Sequence, residues 1–259
     1  MMAVRAQLLQ LGKTRFVWGC FGVCAVGLAL MFYQSAINTG SGIMDADAAK
    51  PATAICLFLF LTASLLAVLP AVPAGSYLGG KDDEFGTSGV LVHCGGRAGV
   101  MVAKLVSLAV FSALVVLAVT ALGLLLGLVR TGGWGGQALR HTGAQIACTF
   151  VVVYMTALLA FTVAVITRGV VVANIACFAA LVGQMFLPSS AARALRWINP
   201  MAYIQGLVPS QFPELAHVLG VTVPGGVESV GKGLLWGAGF LIAEITVVGL
   251  VAMKREFKE

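Results

Sequence analysis

Long apolar runs alternate with short polar stretches along most of the chain. Six of these runs are long enough to cross a bilayer, which takes about 20 predominantly apolar residues in a helix. The predicted spans are Phe16–Ile37, Ala52–Leu78, Val100–Val129, Ile146–Thr167, Val170–Leu187 and Leu234–Met253. The pattern therefore predicts an all-α polytopic membrane protein that forms a single transmembrane domain over residues 1–259.

Local signals refine three of these spans. Pro70 and Pro73 should kink or fray the second span, because proline cannot donate to the helical ladder. The third span is longer than a bilayer requires, so its first turn with Lys104 should project into the cytosol or lie tilted. Only Arg168 and Gly169 separate the fourth and fifth spans, which should form a tight helical hairpin.

Three segments lie outside the spans. Residues 1–14 read as an amphipathic interfacial helix with Val4, Leu8 and Leu11 on one face and the polar side chains, Gln7 among them, elsewhere. A signal-peptide start is the alternative, but more spans follow the first apolar run. Residues 79–99 form a polar, Gly-rich inner loop. Residues 188–231 are semi-apolar and rich in proline, which predicts short, partly re-entrant outer helices, with a surface loop as the alternative.

Composition agrees with this layout and excludes other classes. The chain is 59% hydrophobic and 10% charged, whereas soluble domains carry roughly 25% charged residues. No polar stretch is long enough for an appended catalytic domain. The net charge of +6 reflects topology rather than nucleic-acid binding, because the basic residues flank the spans. Ten of the sixteen Lys and Arg residues fall on the inner side if both termini are cytoplasmic, as the positive-inside rule favours.

Enzyme and cofactor motifs are weak. The stretch Gly75–Asp82 resembles a phosphate-binding loop, but Asp82 replaces the Ser or Thr that such loops use for magnesium, and a membrane helix precedes it. The three histidines, His93, His141 and His217, fall on different sides of the membrane and cannot share a metal. The six cysteines suggest neither a disulfide framework nor a zinc site. We therefore expect no enzyme activity, metal or cofactor in this chain itself.

Glu244 lies near the middle of the sixth span, where a carboxylate costs a few kcal/mol without a partner or a water-filled cavity. Its role is either a polar contact in a transport path or subunit interface, or a protonated acid tied to a neighbouring helix. Milder intramembrane polar residues are Gln184, Asn174, Tyr154 and Gln34. Most should form hydrogen bonds between helices, and Gln184, Asn174 and Gln34 are further candidates for a transport path or subunit interface. Small-residue spacings at Gly123/Gly127 and Gly233/Gly237 indicate close helix contacts.

The inner loop carries the most specific order of residues. An acidic residue, an aromatic residue and Gly-Thr are followed by a short apolar stretch, a turn, Arg97 and then Ala103-Lys104 inside the third span. This order and the overall layout resemble the permease subunits of type-2 ABC exporters. The resemblance implies a coupling helix in this loop that docks on a separate ATP-binding subunit. The implied contact residues are Glu84, Phe85, Gly86, Thr87 and Arg97.

The leading hypothesis is the membrane subunit of an ATP-driven exporter in a bacterial cell membrane. The resemblance implies two ATP-binding subunits that hold ATP and magnesium, a second permease chain that is identical or similar, and an amphipathic peptide, drug or lipid-like substrate. One alternative is an ion-coupled carrier that uses Glu244. Another is a non-transporting immunity or scaffold protein that binds a peptide at Pro188–Gly231.

Overall fold

All elements in the part of the chain that the structure describes are helices. The structure, a computed structural model, describes residues 2–37, 66–84, 97–131, 136–185 and 230–256. Its helices are α1 (Met2–Gly12), α2 (Arg15–Ile37), α3 (Val68–Glu84), α4 (Arg97–Thr131), α5 (Gly136–Thr167), α6 (Val170–Met185) and α7 (Val230–Glu256). The predicted outer segment 188–231 lies outside the described residues up to residue 229, and its last two residues belong to α7.

Two stretches are long and apolar enough to cross a membrane, Gly99–Leu126 in α4 and Thr149–Thr167 in α5. A third candidate is the pair Val4–Gly12 and Arg15–Leu30, which is bent by 62° at its break. Shorter apolar helices cover Val170–Leu181 and Gly237–Val251. These helices indicate a membrane-embedded, multi-pass protein.

Helix α5 is the centre of the bundle. It packs against α3, α4, α6 and α7, and every residue from Val152 to Leu158 is buried. A helix that is buried on all sides needs an apolar sequence all round, and the central part of α5 has one. Phe161, one turn further along α5, is the largest fully buried side chain.

The faces of α2, α4 and α7 that turn away from this core carry large exposed apolar side chains. Examples are Val26 on α2, Leu114 on α4 and Ile242 on α7, each more than half exposed. Exposed apolar patches on this scale do not occur on ordinary soluble monomers. Such surfaces suit a helix bundle that is embedded in a bilayer.

Helix α3 continues through both Pro70 and Pro73, where the sequence predicts a kink or fraying. The helical stretch is interrupted at Ala67, immediately before α3 begins. Pro70 has no N–H to donate to the carbonyl of Leu66, four residues earlier. The thiol of Cys24 in α2 donates to that carbonyl instead, at 3.1 Å. The carbonyl that Pro70 leaves without its helical donor therefore makes a polar contact between α2 and the chain just before α3.

Two helix boundaries match the prediction closely, and one differs. Helix α1 and the α5–α6 turn lie where the sequence places them. Residues 79–84 and 97–99 of the expected inner loop 79–99 are helical, because α3 continues to Glu84 and α4 begins at Arg97. Lys104, expected to project into the cytosol or to lie in a tilted turn, is buried among the helices, at 8% exposure.

Candidate functional site

The expected coupling residues sit at the two helix ends that flank residues 85–96. Glu84 is the last residue of α3 and Arg97 is the first of α4. Phe85, Gly86 and Thr87 lie outside the described residues. The structure thus fixes where the loop leaves the bundle and where it returns.

Lys81, one turn before Glu84, fastens α1 to the end of α3. Its Nζ donates to Oε1 of Gln7 at 2.7 Å and also to Oε1 of Gln10. The same ammonium lies 5.3 Å from the ring centroid of Tyr77. Lys81 is only 5% exposed, and a buried charge is costly unless it is hydrogen-bonded. The amide oxygens and the aromatic face supply that compensation.

The polar side of α1 was predicted incorrectly at Gln7. The expected apolar face of Val4, Leu8 and Leu11 does include the fully buried Leu11, but Gln7 is buried on the same side. Gln7 follows Val4 by three residues and precedes Leu11 by four, so the three positions share a face. Its burial is explained by the bond from Lys81.

The first turns of α4 form the second support for α1. The Ser107 hydroxyl donates to the carbonyl of Ala103 at 2.6 Å and lies 3.5 Å from the carbonyl oxygen of Val4. One turn earlier, the Lys104 ammonium lies 6.0 Å from the ring centroid of Phe161 in α5. Helix α1 therefore rests on α3 and α4 together, at the ends that lead into residues 85–96.

The turn between α5 and α6 lies at the same end. A Cβ built on Gly80 would lie 3.1 Å from both the backbone nitrogen and Cγ2 of Val170, so α3 touches this turn. Arg168 adopts a left-handed φ of 56°, which ends α5 as a helix C-cap does. We call this end of the bundle the base: helix α1, the last turn of α3, the first turns of α4 and the α5–α6 turn.

Six Lys and Arg side chains are described, and all lie on α1, at the α1–α2 junction or on the other parts of the base. They are Arg5, Lys13, Arg15, Lys81, Lys104 and Arg168. The sequence assigned all six to the inner side of the membrane. These six charges, which come from separate segments, lie at one end of the described helices.

Glu244 lies away from the base, where α7 packs against α5. Its Oε2 is buried and has no hydrogen-bond partner among the described residues. On α5, the Tyr154 hydroxyl donates to the carbonyl of Leu105 in α4 at 3.3 Å. Phe150 stacks on Tyr154, with ring centroids 5.8 Å apart. Phe240 lies one helical turn before Glu244 on α7. We call the surface along which α5 and α7 pack the α5–α7 seam.

The other candidate path residues do not join this seam. Asn174 follows the α5–α6 turn by about one helical turn, and its Oδ1 is buried without a partner among the described residues. Tyr154 lies roughly 20 Å from that turn at about 1.5 Å per residue, so Asn174 and Tyr154 occupy different depths. Gln34 lies near the end of α2 and Gln184 near the end of α6; their side chains lie outside what the structure describes.

The residues that the sequence analysis missed are Gly75 and Gly79. A Cβ on Gly75 would lie 2.0 Å from the carbonyl oxygen of Ala157, and one on Gly79 would lie 2.5 Å from that of Phe161. The stretch that resembles a phosphate-binding loop is helical from Gly75 to Asp82. Its glycines let the backbones of α3 and α5 touch, as small residues at four-residue spacing do in membranes.

Gly237 makes a comparable contact at the α5–α7 seam, and the neighbouring Gly239 provides a matched control. A Cβ on Gly237 would lie 2.6 Å from Cγ1 of Val151, whereas a Cβ on Gly239 would meet nothing within 4 Å. We expect Gly237→Ala to destabilise the protein by about 1–3 kcal/mol through overpacking and Gly239→Ala to leave it unchanged. Thermal unfolding in mild detergent measures both, and equal unfolding temperatures would contradict the close packing of α7 on α5.

No protein-family model matches the chain, and no curated protein shows significant similarity to it.

Proposed function

We propose that this protein is the membrane subunit of an ATP-driven exporter of the type-2 ABC class. The observation that carries the proposal is the base, where four separate segments converge on the helix ends flanking residues 85–96. A subunit driven from outside needs a docking loop and a rigid connection from that loop to its membrane helices. The order of residues in the loop and the packing around its ends support both requirements.

The contacts at the base suggest how a force applied to residues 85–96 would reach the membrane helices. Lys81 ties the last turn of α3 to α1, and Ser107 places α1 against α4. The close contacts of Gly75 and Gly79 couple α3 to the central helix α5. Closely packed elements move as units rather than deforming continuously. A force applied at residues 85–96 would therefore move α1, α3, α4 and α5 together.

The remaining parts of the proposal follow from the exporter class. Six spans would form the transmembrane domain, with both termini and the base in the cytoplasm of a bacterial cell. Two such chains, identical or similar, would face each other across the path, because six spans are few for a lumen. Two ATP-binding subunits would hold ATP and magnesium and hydrolyse ATP. The substrate would be amphipathic and would reach the path from the cytoplasm or the inner leaflet.

The decisive experiment is purification of the tagged chain from its native membrane in mild detergent, with mass spectrometry of the copurifying proteins. We expect a stoichiometric partner with an ATP-binding motif. A second permease in the complex would identify a heterodimer, and its absence a homodimer. A chain that purifies alone, without ATPase activity, under conditions that preserve known transporter complexes would refute the proposal.

Substitutions at the coupling residues test the docking contact. We expect Glu84→Ala and Phe85→Ala to insert and fold normally but to lower substrate-stimulated ATP hydrolysis roughly tenfold or more, since loss of an interface hot spot costs about 2 kcal/mol. The assay compares reconstituted complexes at equal permease content. Glu259→Ala removes a carboxylate that is distant from the loop in sequence. Its assembly and its rate of ATP hydrolysis should match those of wild type. Wild-type assembly and hydrolysis in both loop variants would contradict the assignment.

The unpartnered oxygen of Glu244 favours one second candidate, an ion-coupled carrier that works alone. Such a carrier would transport when reconstituted without an ATP-binding subunit and with an ion gradient, and Glu244→Gln would abolish this transport. The exporter would show no uptake under these conditions. An immunity or scaffold protein would show no transport in either assay and would lose peptide binding when Pro188–Gly231 is deleted.

A further inference from the structure

We propose that the exposed side of α1 and the first turn of α2 form a binding surface for the headgroups of anionic phospholipids. The inference requires that the apolar helices are embedded in a bilayer, and it does not depend on the proposed export function. We call this surface the basic bend. Its residues are Arg5, Leu9, Lys13, Arg15, Phe16 and Trp18.

Helix α1 turns two different sides to the bundle and to its surroundings. The side with Gln7 and Leu11 is buried and packs on α3 and α4. The other side carries Arg5, Leu9 and Lys13, which are all exposed and follow one another at four-residue spacing, in one row. An interfacial helix ordinarily inserts its most apolar side into the bilayer, but here the protein itself covers that side. The row of two cations around a leucine is the side that is left to meet a membrane surface.

The junction of α1 and α2 places a third cation beside this row. The two helices meet at a bend of 62°. The indole Nε1 of Trp18 donates to the carbonyl of Gly12 at 2.6 Å, so the first turn of α2 is tied to the end of α1. Lys13 and Arg15 lie on the two sides of this bend, and both are exposed. Two cations and an indole ring therefore share one short, fixed segment.

The position of Arg15 on α2 favours a bilayer over a protein as the partner of this surface. Arg15 lies three helical turns before the exposed Val26, on the same face of α2. A bilayer that covers Val26 would place its headgroup layer about 16 Å further along the helix, near Arg15. Trp18 is more than half exposed, and tryptophan is enriched at membrane–water interfaces. Phe16 contacts Phe178 of the apolar helix α6, with ring centroids 6.3 Å apart.

The charges of this segment select the headgroup class. Residues 1–44 contain Arg5, Lys13 and Arg15 but no Asp or Glu, so no carboxylate of the same segment can neutralise these cations. A headgroup with a net negative charge complements them, whereas a zwitterionic headgroup brings its own ammonium group. Each Lys or Arg near an anionic membrane surface strengthens binding about fivefold. Anionic lipid would therefore hold α1 and the bend in place on the base.

The test is lipid binding by the full-length protein in mild detergent, with any copurifying subunit present. The probes are dioleoylphosphatidylglycerol and dioleoylphosphatidylcholine, which have the same acyl chains but differ in headgroup charge, and native mass spectrometry measures the bound fraction. We expect wild type to prefer the anionic lipid about tenfold or more, and added NaCl to reduce this preference. Lys13→Gln combined with Arg15→Gln should lower the affinity for the anionic lipid about tenfold or more and leave that for the zwitterionic lipid unchanged.

Controls separate this surface from general positive charge and from free phosphate. Arg168→Gln removes a cation at another exposed position of the base and should leave the preference unchanged. Lys13→Arg combined with Arg15→Lys keeps both charges and should bind as wild type does. Trp18→Phe removes the indole N–H that ties the bend and should weaken binding of the anionic lipid several-fold. Glycerol phosphate, which has the charge but no acyl chains, should not displace the bound lipid at equal concentration.

Equal affinity of wild type for the two lipids would overturn the inference. An equal loss of binding in Arg168→Gln and in the Lys13/Arg15 double variant would also overturn it, because the attraction would then be general. Displacement by glycerol phosphate would show an anion site rather than a lipid surface. If the double variant does not fold, a wild-type preference that is independent of NaCl contradicts the inference. Copurification of an ATP-binding subunit tests the exporter separately, so either proposal can fail without the other.

Discussion

Gly75→Val should prevent the helix bundle from forming, whereas Gly19→Val should be tolerated. A side chain at Gly75 would begin 2.0 Å from the carbonyl oxygen of Ala157, so even the first carbon overlaps with backbone atoms. Backbone cannot move aside as a flexible side chain can. We expect a loss of about 4 kcal/mol or more, at the extreme of single substitutions.

The size of this effect follows from the location of the contact. Helix α3 packs more extensively against α5 than any other described pair of helices, and Ala71, Ala74 and Leu78 of α3 are fully buried. Separating the two helices would open this packing along its whole length. Gly79→Val should behave in the same way, because its Cβ would lie 2.5 Å from the carbonyl oxygen of Phe161.

The matched control uses the same substitution in an equally apolar helix. Gly19 and Gly22 of α2 are exposed, and a Cβ at either would meet nothing within 4 Å. Size-exclusion profiles and thermal unfolding in mild detergent should show a monodisperse, wild-type-like protein for Gly19→Val and aggregation for Gly75→Val. A stable Gly75→Val protein would show that α3 and α5 do not approach as closely as the structure has them.

The positions of most described helices follow from the apolar pattern, and their exact ends do not. The α5–α6 turn at Arg168-Gly169 could be predicted because one basic residue and a glycine are the only break between two apolar runs. The end of α3 could not be predicted from the apolar pattern. Lys81 to Glu84 are all charged, which hydropathy reads as a loop, but helical hydrogen bonds form between backbone groups and do not require apolar side chains.

The candidate site residues could be predicted only in part, because several of their contacts join positions that are far apart in sequence. The depth of Glu244 is visible in the sequence, because a carboxylate interrupts an apolar run. The burial of Gln7 is not, because its partner Lys81 lies 74 residues away. The role of Gly75 and Gly79 is also hidden, since a chain with 32 glycines contains many small-residue spacings. Only the three-dimensional packing shows which of them face another backbone.

A double-mutant cycle should show that Gln7 and Lys81 are energetically coupled. Lys81→Met alone leaves the buried amide of Gln7 without its charged donor, which costs about 1–3 kcal/mol. Gln7→Leu alone removes one of the acceptors that compensate a buried ammonium, at a similar cost. Replacing both leaves an apolar pair in the same space, which is nearly neutral for many hydrogen-bonded pairs. The double variant should therefore be more stable than the sum of the single effects by about 1–2 kcal/mol.

Thermal or denaturant unfolding in one detergent measures the cycle. The control pairs Lys81→Met with Thr246→Val, because Thr246 is exposed on α7 and its hydroxyl donates within its own helix to the carbonyl of Ile242. That pair should be additive. Additivity in the Gln7–Lys81 cycle as well would mean that α1 is not fastened through this contact.

The coupling energy bears directly on the proposed mechanism. Lys81 is one turn from Glu84, so a contact that holds α1 to Lys81 also holds it to the helix end that leads into residues 85–96. If the two side chains are coupled, movement of the loop must either carry α1 along or break a buried charged contact. We therefore expect Gln7→Leu to reduce substrate-stimulated ATP hydrolysis in the assembled complex while Glu84 and Phe85 remain intact. The effect should be smaller than that of the loop variants, because Gln10 still accepts from Lys81.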